Sequence, residues 1–185
     1  MGYEATSLRQ IAAGSQIDIA TLKYHFADKQ TLFGEVYREG HVKFLAALEP
    51  VLDQIDDVKN EADVAALVDE LVTTAHTFIE ENLWFVRMTL YRVLEDSEDI
   101  IAIEDELQSI AISHIAKKFD KLIERKVVRP FDTRAFVVFL IGSFSIWQVS
   151  GRVRPEWPGP PKLDTKNGRA RSESFFIEVL ERFLL

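Results

Sequence analysis

The sequence predicts an all-α protein, and three observations carry that prediction. Apolar residues recur at three- and four-residue spacing through most of the chain. No segment alternates apolar and polar residues as a half-buried strand would. Ser or Asp repeatedly stands in the N-cap position just ahead of a periodic run. The 185 residues are 47% hydrophobic and 28% charged, which supports a sizeable core. No internal repeat is present. A natural division near residue 45 separates a small module, 1–45, from a larger helical body, 46–185.

Each element has its own justification. Ser7, with Gln10 three residues on, forms a capping box that opens a helix at Leu8, with Ile11 and Ala12 on the same face. Ser15 and Gln16 break this pattern, and Ile17 returns to the core. Asp18 caps a second helix, where Leu22 and Phe26 lie four residues apart. Asp28 caps a third helix, bearing Leu32, Phe33, Val36, Tyr37, Phe44, Leu45 and Leu48. It is expected to run to about Glu49, where Pro50 bends or ends it. Helical spacing then marks about Asp63 to Glu80 and about Leu83 to Glu95. After the acidic "EDSED", Ser97 offers a cap for a long helix from about Asp99 to Lys126. "RPFDTR" is a break, and Asp132 caps a very apolar helix that ends near Gly151. "RVRPEWPGPPKLDTKNGRARSE" holds four of the six prolines and reads as an extended loop. A last helix is expected from about Ser172 to Leu184.

Bulk properties narrow the function classes. A formal net charge of −8 argues against phosphate binding over the whole surface, but leaves room for a small DNA-reading module on an acidic body. The absence of Cys removes disulfides, thiolate metal sites and thiol nucleophiles together. No basic segment followed by an apolar run marks a signal peptide at the N-terminus. Ala135 to Val149, the most apolar stretch, is shorter than the roughly 20 residues a membrane span needs. A buried core helix in a cytoplasmic protein is the expectation. There is no glycine-rich phosphate loop and no His cluster, so an enzyme is not expected. His76 and His114 have no metal-ligand spacing, and no metal or other cofactor is expected.

The first two helices, joined by a short turn, form a helix-turn-helix unit, which places its second helix in the DNA major groove. Ile19, Ala20, Thr21, Lys23, Tyr24 and His25 are the candidates on that helix. Lys23 suits phosphate or guanine edges, and Tyr24 and His25 suit phosphate. Ile19 and Ala20 suit thymine methyls, and Thr21 is small and polar. Thr6 and Ser7 at a helix N-terminus, and Lys29 at the start of the third helix, are further phosphate candidates. Spacing alone leaves open an ordinary helical packing unit with solvated polar residues.

"TSLRQIA", "TLKYHF" and "DKQTLF", in this order and spacing over about Gly2 to Val36, closely resemble the TetR/AcrR family of transcriptional regulators. The resemblance implies a DNA-binding domain followed by a helical ligand-binding and dimerisation domain. It implies a palindromic double-stranded operator, a small-molecule effector, a homodimer, and most often repression. Two positions depart from the family pattern. Gln16 stands where the turn glycine is usual, and Lys23 where the first tyrosine of the recognition helix is usual. Family members also carry a helix ahead of the Gly2-Tyr3 position, which is missing here. The expectation is an incomplete module with exposed apolar faces at Leu8, Ile11, Ile17, Leu22 and Phe26, and weak or absent operator binding. A ligand-binding or dimerising protein without DNA function is the alternative reading.

In the body, Phe78, Trp84, Phe85, Met88, Tyr91, Phe119, Phe144 and Trp147 are candidates to line a cavity between helices, or are ordinary core. Arg87, Arg92, His76, His114 and Gln148 are candidate polar contacts. The last two helices have wide apolar faces. Phe136, Phe139, Leu140 and Ser143 on one, with Phe175, Phe176, Val179, Leu180 and Phe183 on the other, are candidates for a two-fold dimer seam. They can equally close the monomer core.

Overall fold

The computed structural model describes residues 2–93, 98–153 and 166–185. Among these the helices are α1 (Leu8–Ser15), α2 (Ile19–His25), α3 (Lys29–Asp53), α4 (Glu61–Glu81), α5 (Leu83–Val93), α6 (Glu98–Glu124), α7 (Thr133–Val153) and α8 (Lys166–Leu184), with a 3-10 turn at Gln54–Asp57. No strand occurs among the described residues. None of these helices is long and apolar enough to cross a membrane.

Side-chain caps set the N-termini of the first three helices. Ser7 Oγ accepts from Gln10 N while Gln10 Oε1 accepts from Ser7 N, a complete capping box. Asp18 accepts from Ala20 N, and Asp28 from Thr31 N. The hydrogen bonds from Thr31 also hold the Asp28 carboxyl below its usual pKa. The turn between α1 and α2 is made by Gln16 in the left-handed region, φ 57° and ψ 31°, with its N–H shared between the Ala12 and Ala13 carbonyls. A Cβ in that conformation costs about 1–2 kcal/mol. Beyond the turn, Ile17 does not return to the core as its sequence position suggests, because α1 and α2 close on each other without it and leave it 45% exposed. The lysine that follows α6, Lys126, has the same φ of 57° as Gln16.

Two boundaries differ from the sequence expectation. Pro50 does not end α3, which continues to Asp53. Val51 and Leu52, at 2% and 0% exposure, are buried on the far side of the proline. Their packing outweighs the roughly 3 kcal/mol that an interior proline costs. α8 begins at Lys166, six residues before the expected Ser172, because its first turns are anchored to α4. Ser172 donates to Nε2 of the fully buried His76 at 2.8 Å, and Arg169 reaches Glu80, Glu173 and Thr77. Burial lowers the pKa of His76, whose Nδ1–H donates to the Val72 carbonyl. Ser97 and the proline-rich stretch 154–165 lie outside the described residues.

The body is one helical layer wrapped around a shared core. α3 packs on α4 and α6, α6 on α7, and α4 on α7 and α8. Along the α3–α6 seam, His114 meets Glu49, Lys118 meets Asp53, and Lys121 meets Asp56. Arg125 closes the seam by donating to the Ile55, Asp56 and Val58 carbonyls. Most of these pairs are solvent-exposed and each is worth little. The exception among the ion pairs is Arg92 of α5 with Glu104 of α6, at 6% and 7% exposure. Nε to Oε1 is 2.7 Å and Nη2 to Oε2 is 3.3 Å, a two-pronged contact.

Removing one half of such a pair strands a buried charge. Glu104→Ala is expected to cost about 3–5 kcal/mol in denaturant unfolding. The double variant Arg92→Met with Glu104→Leu should recover most of that loss. A double variant no more stable than Glu104→Ala would show that the pair does more than neutralise itself.

Candidate functional site

Two regions gather the candidate residues, and the first is the exposed face of α2. The Asp18 cap and the buried Leu22 fix which way this two-turn helix presents itself. Ala20, Thr21, Lys23, Tyr24 and His25 are all exposed, and Ile19 is half-buried. Tyr24 is 86% exposed and stands edge-on to His25 with ring centroids 5.2 Å apart. A solvated aromatic beside an imidazole and an ammonium group is a poor core element and a good donor set for phosphate and base edges.

The flanking candidates are placed differently. Thr6 Oγ1 donates to the Gly2 carbonyl, and Ser7 Oγ is engaged by Gln10. Lys29 points into the protein. Its Nζ donates to the Tyr3 carbonyl at 2.9 Å and lies 3.9 Å from the centroid of the Tyr3 ring. That geometry makes Lys29 a clamp on the N-terminal segment. Tyr3 also stands edge-on to Phe33 at 5.1 Å, and the Arg92 guanidinium lies 5.9 Å from its ring centroid. Tyr3 therefore joins the small module to the body.

The second region is a cavity of about 290 Å³ between α3, α4, α5, α6, α7 and α8. Phe78, Phe85, Phe119 and Phe144 stand on its wall. Trp84, Met88, Tyr91 and Trp147 do not. α5 turns Phe85, Val86, Thr89 and Leu90 inward, so Trp84 and Tyr91 emerge on its outer face at 40% and 50% exposure. Trp147 stacks on Phe175 at 5.2 Å instead. Among the candidate polar contacts, Arg87 is exposed, Arg92 is paired with Glu104, His76 bonds Ser172, and His114 bonds Glu49. The side chain of Gln148 lies outside those described.

The polar groups that do reach the cavity are His41, Thr89, Gln108 and Ser145, none of which stood out in the sequence. The available signal was a polar residue interrupting an apolar helical stripe, which is also how surface residues look. His41, Thr89 and Gln108 gather around Tyr37, whose ring is 0% exposed. Gln108 Nε2 donates to the Tyr37 hydroxyl at 2.9 Å, and His41 Nδ1 donates to the Tyr37 carbonyl at 3.0 Å. Burial raises the Tyr37 pKa and lowers that of His41, so both are neutral near pH 7. Among the described residues, no group of three His, Asp or Glu could hold a metal ion.

The seam candidates on α7 and α8 divide into two sets. Phe136, Phe176 and Leu180 are buried in the monomer: Phe136 stacks on Phe183 at 5.0 Å, and Phe176 on Phe144 at 3.9 Å. Those rings are spent closing the body. Phe139 and Phe175 face outward at 56% and 47% exposure, and Ile146 joins them at 59%. Leu140, Ser143 and Val179 are half-buried.

Comparison with known proteins bears on the fold. Residues 1–36 match the family model for bacterial regulatory proteins of the tetR family. No curated protein matches the chain in sequence. The fold is that of several solved regulators. A putative fatty acid metabolism regulator from Clostridium perfringens shares 19% identity at a TM-score of 0.71, over 99% of this chain and 91% of that one. The TetR family regulator PfmR from Thermus thermophilus shares 19% at 0.66 over the same fractions. AibR, solved with isovaleryl coenzyme A and operator DNA, shares 18% at 0.64, over 96% of this chain and 88% of that one. The chain thus has the TetR-family regulator fold.

The cavity wall depends on one close approach. A Cβ added to Gly40 would sit 2.1 Å from the Phe85 ring, so α3 and α5 can meet there only at a glycine. Gly40→Ala is expected to push Phe85 into the cavity and lower stability by about 1–3 kcal/mol, despite the better helix propensity of Ala. Thermal unfolding checks this, and a variant as stable as the parent would show that Phe85 has room to move.

Proposed function

We propose that this chain is a ligand-responsive transcriptional regulator that binds operator DNA as a homodimer, a repressor that a small-molecule inducer releases. The observation that carries this reading is the coincidence of two facts. The family match covers residues 1–36, and within that stretch α2 presents Ala20, Thr21, Lys23, Tyr24 and His25 to solvent. Such a protein works in the cytoplasm, where its DNA is, and has no catalytic step. AibR was solved with a small-molecule ligand, isovaleryl coenzyme A, and operator DNA, and we carry the two kinds of partner, a small-molecule effector and an operator, to this chain without that ligand's chemistry. The ligand occupies the cavity.

The dimer forms through the outward faces of α7 and α8, with Phe139, Ile146 and Phe175 buried between protomers and Gly142 and Ser143 allowing close approach. Two-fold symmetry then sets the two α2 helices about one DNA turn apart on a palindrome. Ligand favours a body geometry in which that spacing is wrong. Linkage requires DNA to weaken ligand binding by the same factor by which ligand weakens DNA binding.

A finer part of the reading concerns the strength of that binding. Ile17 is 45% exposed and Leu8, Ile11 and Phe26 are not fully buried, so the 185 residues leave α1 and α2 thinly covered. We propose that a further helix normally packs across them, and that these residues alone bind an operator weakly.

Three measurements test the proposal. A palindrome selected from a random DNA pool by the full chain should be bound sequence-selectively. Lys23→Ala should weaken binding to all sequences about evenly and reduce the salt slope by about 1 for each phosphate it no longer neutralises. Failure to select any sequence, even with a helical segment added ahead of Gly2, would sink the DNA reading. Tight, salt-sensitive binding by the 185 residues alone would remove the covering helix. Phe139→Glu with Phe175→Glu should convert a dimer to a monomer in light scattering, and an unchanged mass would place the seam elsewhere.

A further inference from the structure

The cavity wall bears no Lys, Arg, Asp or Glu among the described residues. Its polar atoms can be assigned donor by donor. Gln108 spends one amide hydrogen on the Tyr37 hydroxyl, and Thr89 spends its hydroxyl hydrogen on the Phe85 carbonyl, Oγ1 to O at 3.1 Å. Tyr37 itself is not on the cavity wall, so its hydroxyl hydrogen is not offered to a ligand. His41 spends its Nδ1 hydrogen on the Tyr37 carbonyl. With the ring neutral, Nε2 is left as a bare lone pair. Gln108 is left with its carbonyl oxygen and one amide hydrogen. Neither His41 nor Gln108 makes a further hydrogen bond among the described residues. This end of the cavity therefore offers two strong acceptors, a single spare donor and no positive charge. A carboxylate placed there would face lone pairs and lose its hydration without a counter-ion, which a buried charge does not tolerate. A hydroxyl would donate its one hydrogen to the His41 lone pair and accept the spare amide hydrogen of Gln108, at no charge cost.

We propose that the cavity takes an uncharged, mostly hydrocarbon alcohol whose hydroxyl sits between His41 and Gln108, and that it rejects the carboxylic acid of the same length. This deepens the proposed function and rests on the cavity being the effector site. Size follows from volume. The cavity's 290 Å³ is nearly twice the roughly 150 Å³ that holds a benzene ring, so about a dozen non-hydrogen atoms fit. Ser145 is the other polar side chain on the wall, and it is too weak an anion partner to alter the preference.

The test uses the full 185-residue chain at about pH 7.5, with the uncharged dye N-phenyl-1-naphthylamine as reporter and 1-decanol, decanoate and decylammonium as competitors. Decanol should displace the dye with a dissociation constant at least tenfold below that of either ion. Gln108→Leu and His41→Phe should each cut that advantage to threefold or less while the dye still binds. Decanoate binding as well as decanol would overturn the proposal and leave the cavity reading intact. So would an unchanged ratio in both variants. If neither dye nor decanol binds, the cavity is not an effector site and both readings fall. Should Gln108→Leu not fold, because Tyr37 loses its partner, the parent ranking and His41→Phe decide between these outcomes.

Discussion

A column of rings along one face of α3 holds the two halves of this molecule in a fixed relation. Phe33, Tyr37 and His41 follow one another at four-residue spacing, with centroids 5.3 and 4.5 Å apart. At the upper end Tyr3 stands edge-on to Phe33, and at the lower end His41 stands edge-on to Phe85 at 5.0 Å. The column thus begins at the segment that anchors α1 and ends on the cavity wall. Close-packed rings transmit displacement because they have no empty space into which to relax. Phe85 cannot shift toward α3 without meeting Gly40, and Tyr37 cannot tilt without breaking its bond to Gln108. Tyr3 of the small module and Phe85 of the cavity wall thus bear on the two ends of one column.

Much of this architecture was legible in the sequence, for local reasons. The caps at Ser7, Asp18 and Asp28 lie within three residues of the amides they satisfy, so no tertiary information was needed to find them. The left-handed turn at Gln16 was not legible locally; only the family resemblance, with its usual turn glycine, marked that position. What the sequence hid was decided at long range. Pro50 has a local rule against it, yet Leu52 and Val51 bury enough surface to override that rule. The start of α8 reads as loop because Asn167 and Gly168 are poor helix formers that follow a proline-rich stretch, and only the partners on α4 reveal its order.

The candidate site followed the same division. That α2 would face outward was readable from Leu22 and Phe26, but the fate of Lys29 was not. A lysine at the first turn of a helix looks solvated until Tyr3, 26 residues away, is folded beneath it. In the body, neighbouring aromatics such as Trp84 and Phe85 have indistinguishable sequence signals and opposite placements. Helical spacing says which residues share a face, and the rotation of α5 against α3 says which face looks inward. The polar cluster around Tyr37 draws on α3, α5 and α6, which the chain separates by 71 residues between Tyr37 and Gln108.

The buried pair of Arg92 and Glu104 gives the fold a grain. Opening this desolvated two-pronged pair would leave two buried charges without partners. Turning α6 against α5 would therefore have to break both prongs of this contact. The pair lies beneath Tyr3, 5.9 Å from its ring, where the small module rests on the body. One buried pair thus ties the seating of Tyr3, and with it the small module, to the register of α5 against α6.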